Sequence, residues 1–278
     1  FNSLLNEHPD RVDLSDRLFC NTACAGHIPY QNKELEQVPY VISEAVDHGW
    51  IWSIPVKDRI GSGIVFNRNI TSIEDAKEYY INYWDNRITA DQLTVINWDP
   101  FYNKNMWHGN VVSIGLSAGF IEPLESTGIA LIIEGIYQLS ARIFDDYYRE
   151  LDRDIFNATM QSFFEESIDF VNMHYYNNTR TTPFWNYVRD THKLSNKHKI
   201  YLDFLKNSKE TLTSRLKKTN FFTEANWFLW LAQMNEEITP RTFVNNGFDR
   251  SKNCLVSWKK HQDNLLTEHH KDLLARLY

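Results

Sequence analysis

Two carboxylates stand three residues apart in Glu122-Pro123-Leu124-Glu125, directly before Ser126-Thr127-Gly128. Beyond them Ile129, Ile132, Ile133, Ile136, Leu139 and Ile143 recur at three- and four-residue spacing, which predicts a helix over residues 129–145. The Ser-Thr-Gly run is then the mouth of that helix. Its unpaired backbone N–H groups and the positive end of the helix dipole form a seat for an anion. A carboxylate at such a mouth can stabilise the dipole, or it can hold and pass a proton. A glycine there lets a flat ligand approach the backbone closely. Upstream, the β-branched run 111–116 predicts a short buried strand and Ser117-Ala118-Gly119 a tight turn. Residues 110–136 therefore read as strand, loop, helix mouth.

A second group of residues is Trp50-Ile51-Trp52-Ser53-Ile54-Pro55. On a strand, alternation puts Trp50, Trp52 and Ile54 on one face and Ile51, Ser53 and Pro55 on the other. Two tryptophans side by side make a large flat wall. Taken alone, that wall is core packing.

The elements that must hold these groups follow from periodicity. Residues 16–30, 40–45, 49–56 and 59–66 read as strands, with a hairpin turn at Lys57-Asp58, and together predict an antiparallel sheet. Ser72 with Asp75 three residues on marks a helix start, and the helix runs through Trp84. Residues 94–98 form a short strand before Pro100. From Ile129 onward the pattern is helical: 129–145, 154–174, 194–216, the aromatic run 226–234, and an amphipathic tail over 252–278. The fold class is thus α+β, a sheet-bearing first part followed by a mostly helical C-terminal region. The expected division is 1–109 for the substrate-side antiparallel sheet and its flanking helix, 110–145 for the strand–loop–helix, and 146–278 for the helical region.

Composition narrows the function. The chain has 278 residues, 42% hydrophobic and 14% aromatic, enough for a sizeable core. A net charge of −7 with no basic stripe argues against a nucleic-acid partner. No run of about eighteen apolar residues predicts a membrane span, and no signal-peptide pattern is present. Three cysteines, Cys20, Cys24 and Cys254, are too few for a disulfide scaffold and fit a reducing, cytoplasmic setting with buried thiols and no metal. Zincin, serine-hydrolase and Walker motifs are missing. Gly61-Ser62-Gly63 sits inside a predicted strand and lacks the third glycine of a dinucleotide fingerprint. The sequons at Asn69, Asn157 and Asn177 are expected by chance in an Asn-rich chain.

Taken in order, these stretches resemble a known family. Trp50–Pro55 is similar to the W-x-W-x-I-P signature of the flavin-dependent (tryptophan) halogenases. Leu124–Ile129 is similar to their L-E-S-T-G-I run. The likeness continues through His174-Tyr175, Thr179-Arg180, Pro183-Phe184-Trp185 and residues 226–243 with their late Pro240-Arg241, and so covers most of the chain. It implies an FADH2-dependent halogenase, a flavin-monooxygenase-like fold whose last part is the strand–loop–helix, and FAD as FADH2, O2 and a halide ion as cofactor and co-reactants. The halide, turned into hypohalous acid, would halogenate an electron-rich aromatic such as an indole or phenol. Residue by residue, the resemblance makes Glu125 catalytic, Gly115, Gly128 and Ile129 flavin-facing, and Thr127 and Gly128 the halide site. Trp50, Trp52, Ile54 and Pro55 would wall a tunnel between flavin and substrate, and Phe222, Glu224, Trp227 and Phe228 are substrate-pocket candidates. Implied partners are a small aromatic substrate and a separate flavin reductase; oligomeric state is left open. The family's glycine-rich nucleotide segment and its lysine have no counterpart here, and neither Lys57 nor Lys104 is at the lysine position. The chain is therefore expected to be the C-terminal portion of a halogenase. A hydroxylating flavin monooxygenase and an inactive fragment are the alternatives.

Overall fold

The computed structural model describes residues 10–143, 148–207, 221–222, 226–227 and 230–231. Among the described residues the elements run, in order, β1 (Arg11–Asp13), β2 (Thr22–Ile28), α1 (Lys33–Glu36), β3 (Ile42–Val46), β4 (Gly49–Pro55), β5 (Ile60–Phe66), α2 (Ile73–Tyr83), β6 (Thr94–Asn97), β7 (Phe101–Asn103), β8 (Trp107–His108), β9 (Val111–Val112), β10 (Gly119–Phe120), α3 (Thr127–Ser140), α4 (Glu150–Met173), α5 (Pro183–Thr191) and α6 (Asn196–Asn207). The fold is mixed, with antiparallel sheets in the first part and helices after it, as the residue patterning predicts.

The main sheet has the order β3-β4-β5-β2-β6, and every pairing in it is antiparallel. Its central strand β5 is buried along nearly its whole length, which suits the apolar run Ile64-Val65-Phe66. The β4–β5 hairpin closes around Lys57-Asp58 and pairs Trp52 with Gly63. That glycine has a packing reason. A Cβ at residue 63 would lie 2.2 Å from the Trp52 ring and 2.7 Å from the Cys24 carbonyl oxygen.

Alternation on this sheet separates two cores. Cys24, Ile28, Ile51, Ile64 and Phe66 face α2, where Ala76, Tyr80 and Trp84 cover them. The Ser72 hydroxyl caps α2 by accepting from the Asp75 N–H at 3.0 Å. On the opposite face Ala23, Trp50 and Val65 pack toward α4. There Phe156, Met160, Phe164 and Ile168 recur every fourth residue and make a buried stripe along the helix. A small sheet, β1-β7-β10, lies against the same helix: Tyr102 stacks on Phe164 and donates its hydroxyl to Glu165 at 2.7 Å. Arg17 bridges Glu165 at 2.8 Å and Asp169 at 3.2 Å, tying the start of the chain to α4.

Several expectations shift. The strand expected over 111–116 is only two residues long, paired with β8, and Gly115–Ser117 forms a 3-10 turn instead. Gly115 has φ +67°, which breaks strand geometry at that point. Helix α3 begins earlier than the apolar pattern does, at Thr127, and closes at Ser140. Helix α4 starts at Glu150, four residues before the expected 154. Helix α6 occupies the first half of the expected 194–216; its remainder, most of 226–234, and the tail with Pro240-Arg241 and Cys254 lie outside the described residues.

Candidate active site

Glu122, Pro123, Leu124 and Glu125 lie on one tight turn, with a 3-10 segment at Pro123–Glu125 that ends on Ser126. Ser126 takes a left-handed conformation, φ +52° and ψ +30°, and Thr127 then opens α3. No side chain caps this helix, so the first-turn N–H groups have no partner from the N-cap residue. Thr127 is buried, whereas Gly128 and Ile129 are exposed.

The turn sends its two carboxylates to opposite surroundings. Glu122 is fully buried and accepts the Tyr175 hydroxyl; the Cys20 thiol lies 3.4 Å from the same hydroxyl. Burial raises the Glu122 carboxyl to about 7, against the pull of Tyr175, the Cys20 backbone and the Trp50 indole toward the charged form. Of these, the Trp50 indole N–H and the second Glu122 oxygen stay outside good hydrogen-bond geometry. Burial also pushes the Cys20 thiol and the Tyr175 phenol well up, so both stay protonated.

Glu125 is half-buried and faces a cavity of about 470 Å³. Trp50, Leu124, His174, Tyr175, Trp185 and Trp230 line it, and Ser43 and Ala45 of β3 form its rim. The His174 Nε2 atom is 2.6 Å from Glu125 Oε1, an ion-pair contact off line for a conventional hydrogen bond. The other ring nitrogen, Nδ1, donates to the Phe170 carbonyl at 2.9 Å. Trp230 packs on the imidazole with ring centres 4.2 Å apart. On the far wall Trp185 is held by its N–H, which donates to the Val46 carbonyl at 2.6 Å.

The tryptophans of β4 divide. Trp50 is buried and reaches the cavity; Trp52, its ring centre 6.1 Å away, lies over Gly63 and borders a second hollow on the sheet with Ala25, Gly61 and Ile96. Ile54 is exposed and Pro55 half-buried further along the same strand. Among the substrate-pocket candidates, Phe222 stacks on Phe170 at 3.8 Å, and Trp227 is buried against Phe170 and Tyr201. Both belong to a third core cluster and neither lines the cavity. Glu224 and Phe228 lie outside the described residues. His174, Tyr175, Trp185 and Trp230 supply the cavity's aromatic lining instead. All four stand in the stretches that resemble the halogenases, Trp230 within 226–243, and that was the sequence signal for them. Among the described residues no cluster of three or more His, Cys, Asp or Glu could hold a metal, and no helix is long and apolar enough to cross a membrane.

The family model for tryptophan halogenase matches residues 1–245. The chain belongs to the tryptophan halogenase family. Over 206 residues this chain is 32% identical to the tryptophan 6-halogenase ThaL of Streptomyces albogriseolus, covering 74% of this chain and 37% of ThaL. Among solved structures it is similar to BrvH, a flavin-dependent halogenase from Brevundimonas sp. BAL3, with TM-score 0.73 and 26% identity over 96% of this chain and 52% of that one. It is also similar to the tryptophan 6-halogenase SttH from Streptomyces toxytricini, with TM-score 0.77 and 25% identity over 95% and 52% of the two chains. This chain thus spans about half the length of those solved relatives and 37% of ThaL.

Proposed function

We propose that the chain forms the substrate- and halide-facing part of an FADH2-dependent halogenase that acts on an electron-rich aromatic, indole-like or phenolic. The observation that carries this reading is Glu125. Its carboxylate opens into an aromatic-lined cavity, and it lies on the turn that leads directly into the uncapped start of α3. An indole or phenol fits walls of Trp50, Tyr175, Trp185 and Trp230, where flat rings offer stacking and edge contacts.

The residues present suit a flavin at the mouth of α3. A Cβ added to Gly128 would meet nothing within 4 Å, so the backbone is open to a flat ring, and Ile129 beside it is 71% exposed. Gly115 packs one turn along, where its Cβ would come within 3.1 Å of Ile132. Bound reduced flavin supplies, with O2 and halide, the hypohalous acid that halogenates the ring. The chain's residues do the rest. The N–H groups at Thr127-Gly128 seat the halide. Trp50 walls the same cavity and excludes water from it. Glu125 accepts the proton that the substituted ring loses. A separate flavin reductase supplies reduced flavin.

The test is to mix the full-length protein carrying this chain with a flavin reductase, NADH, and chloride, bromide or iodide, across a panel of indoles and phenols. A product heavier by one halogen is expected. Glu125→Ala should lower product formation by about 100-fold or more while flavin still binds. An oxygenated product indifferent to halide, or full activity in Glu125→Ala, overturns the assignment.

A further inference from the structure

The contact between Glu125 and His174 constrains where a proton can be. The Phe170 carbonyl can only accept, so His174 Nδ1 must carry a hydrogen to make its 2.9 Å bond. In a neutral ring Nε2 is then a bare lone pair. That lone pair would face the Glu125 oxygen 2.6 Å away, lone pair against lone pair. The contact is favourable only when the pair carries one further proton, on Nε2 or on Oε1. The surroundings hold it in place: Trp230 and Phe170 flank the imidazole, and both members of the pair line the same cavity.

We propose that Glu125 and His174 work as one proton-holding pair that both gives and recovers a proton during ring halogenation. This rests on the halogenase reading above. When the halogen of hypohalous acid bonds to the ring carbon, the X–O bond breaks and its electron pair stays on oxygen. That oxygen takes the proton carried by the His174–Glu125 pair and leaves as water. The ring C–H bond then breaks, its electrons restore aromaticity, and its proton returns to Glu125. The pair ends as it began, with one proton, so successive turnovers need no exchange with bulk water. A carboxylate that starts ionised and without the imidazole has no proton to give to that oxygen.

His174→Gln separates this role from mere support, because an amide can hold Glu125 by a hydrogen bond but cannot give up a proton at neutral pH. In the full-length protein, aromatic product is read against hypohalous acid trapped by a β-diketone, so that a loss of ring halogenation is separated from a loss of oxidant supply. Aromatic product should fall by about 100-fold or more. Wild-type product formation in His174→Gln overturns the pairing. Absence of both hypohalous acid and product in the wild type overturns the halogenase reading itself. If His174→Gln does not fold, long-range ¹H–¹⁵N spectra of the wild-type chain decide the point. A proton on Nε2 as well as Nδ1, or a protonated Glu125 carboxyl beside an Nδ1-protonated ring, is expected, and a neutral ring beside an ionised Glu125 refutes the proposal.

Discussion

Glu122 and Glu125 are three residues apart on one turn, yet only Glu125 reaches the cavity. Glu122 is enclosed by Tyr175, Cys20 and Trp50, and burial raises its carboxyl from an ordinary 4.5 to about 7. The folded state therefore holds this proton more tightly than the unfolded chain does. Its contribution to stability is fully present below about 4.5 and is lost as pH rises through about 7. The shift corresponds to roughly 3 kcal/mol. Urea unfolding at pH 5 and at pH 8 should show wild type losing stability over this range relative to Glu122→Gln. Equal pH slopes in the two proteins would remove Glu122 as the cause. The place of Glu125 before a helix mouth was legible in the residue pattern, and the role proposed for it comes from the L-E-S-T-G-I likeness. Its partner was not legible. His174 is 49 positions further on, and only the packing of the end of α4 against the 122–126 turn brings the two together.

At the scale of elements, the β4–β5 hairpin sets where the tryptophans stand. Residues on one strand face follow a period of two, so the sharing of one face by Trp50 and Trp52 was readable from the amino-acid order alone. What alternation could not show is that the sheet leaves the second hollow beside Trp52 while closing over Trp50. Gly63 is the reason Trp52 can lie flat on the strand next to it. Gly63→Ala should cost about 1–3 kcal/mol, because the Cys24 carbonyl near the new methyl is backbone and cannot swing away. Chemical unfolding would measure the loss, and a change in tryptophan emission would report the displaced ring. An unchanged unfolding midpoint would mean the strand pair accommodates the methyl. The strand expected over 111–116 failed for a related cause. Its β-branched residues satisfied a local pattern, but Gly115 turns the chain onto α3, where Ile114 packs against Gly135 and Ile132 against Gly115.

Across the whole molecule, the cavity is walled by segments far apart in the chain: β3 and β4, the 124–126 turn, the end of α4, α5 and Trp230. Such a cavity exists only while those segments are together. A compound that occupies it binds the folded chain and not the unfolded one, and so must raise the folding free energy. The gain is about 2.7 kcal/mol at a hundredfold excess over Kd. For a chain of this size that corresponds to roughly 5–10 °C in melting temperature. Indoles and phenols added to this chain without flavin, reductase or halide should therefore raise its melting temperature in a concentration-dependent way, and Trp185→Ala should blunt the response. If no aromatic in the panel shifts the transition, the cavity does not hold substrate by itself. A positive result would make heat resistance a readout of substrate class, available before any turnover is attempted.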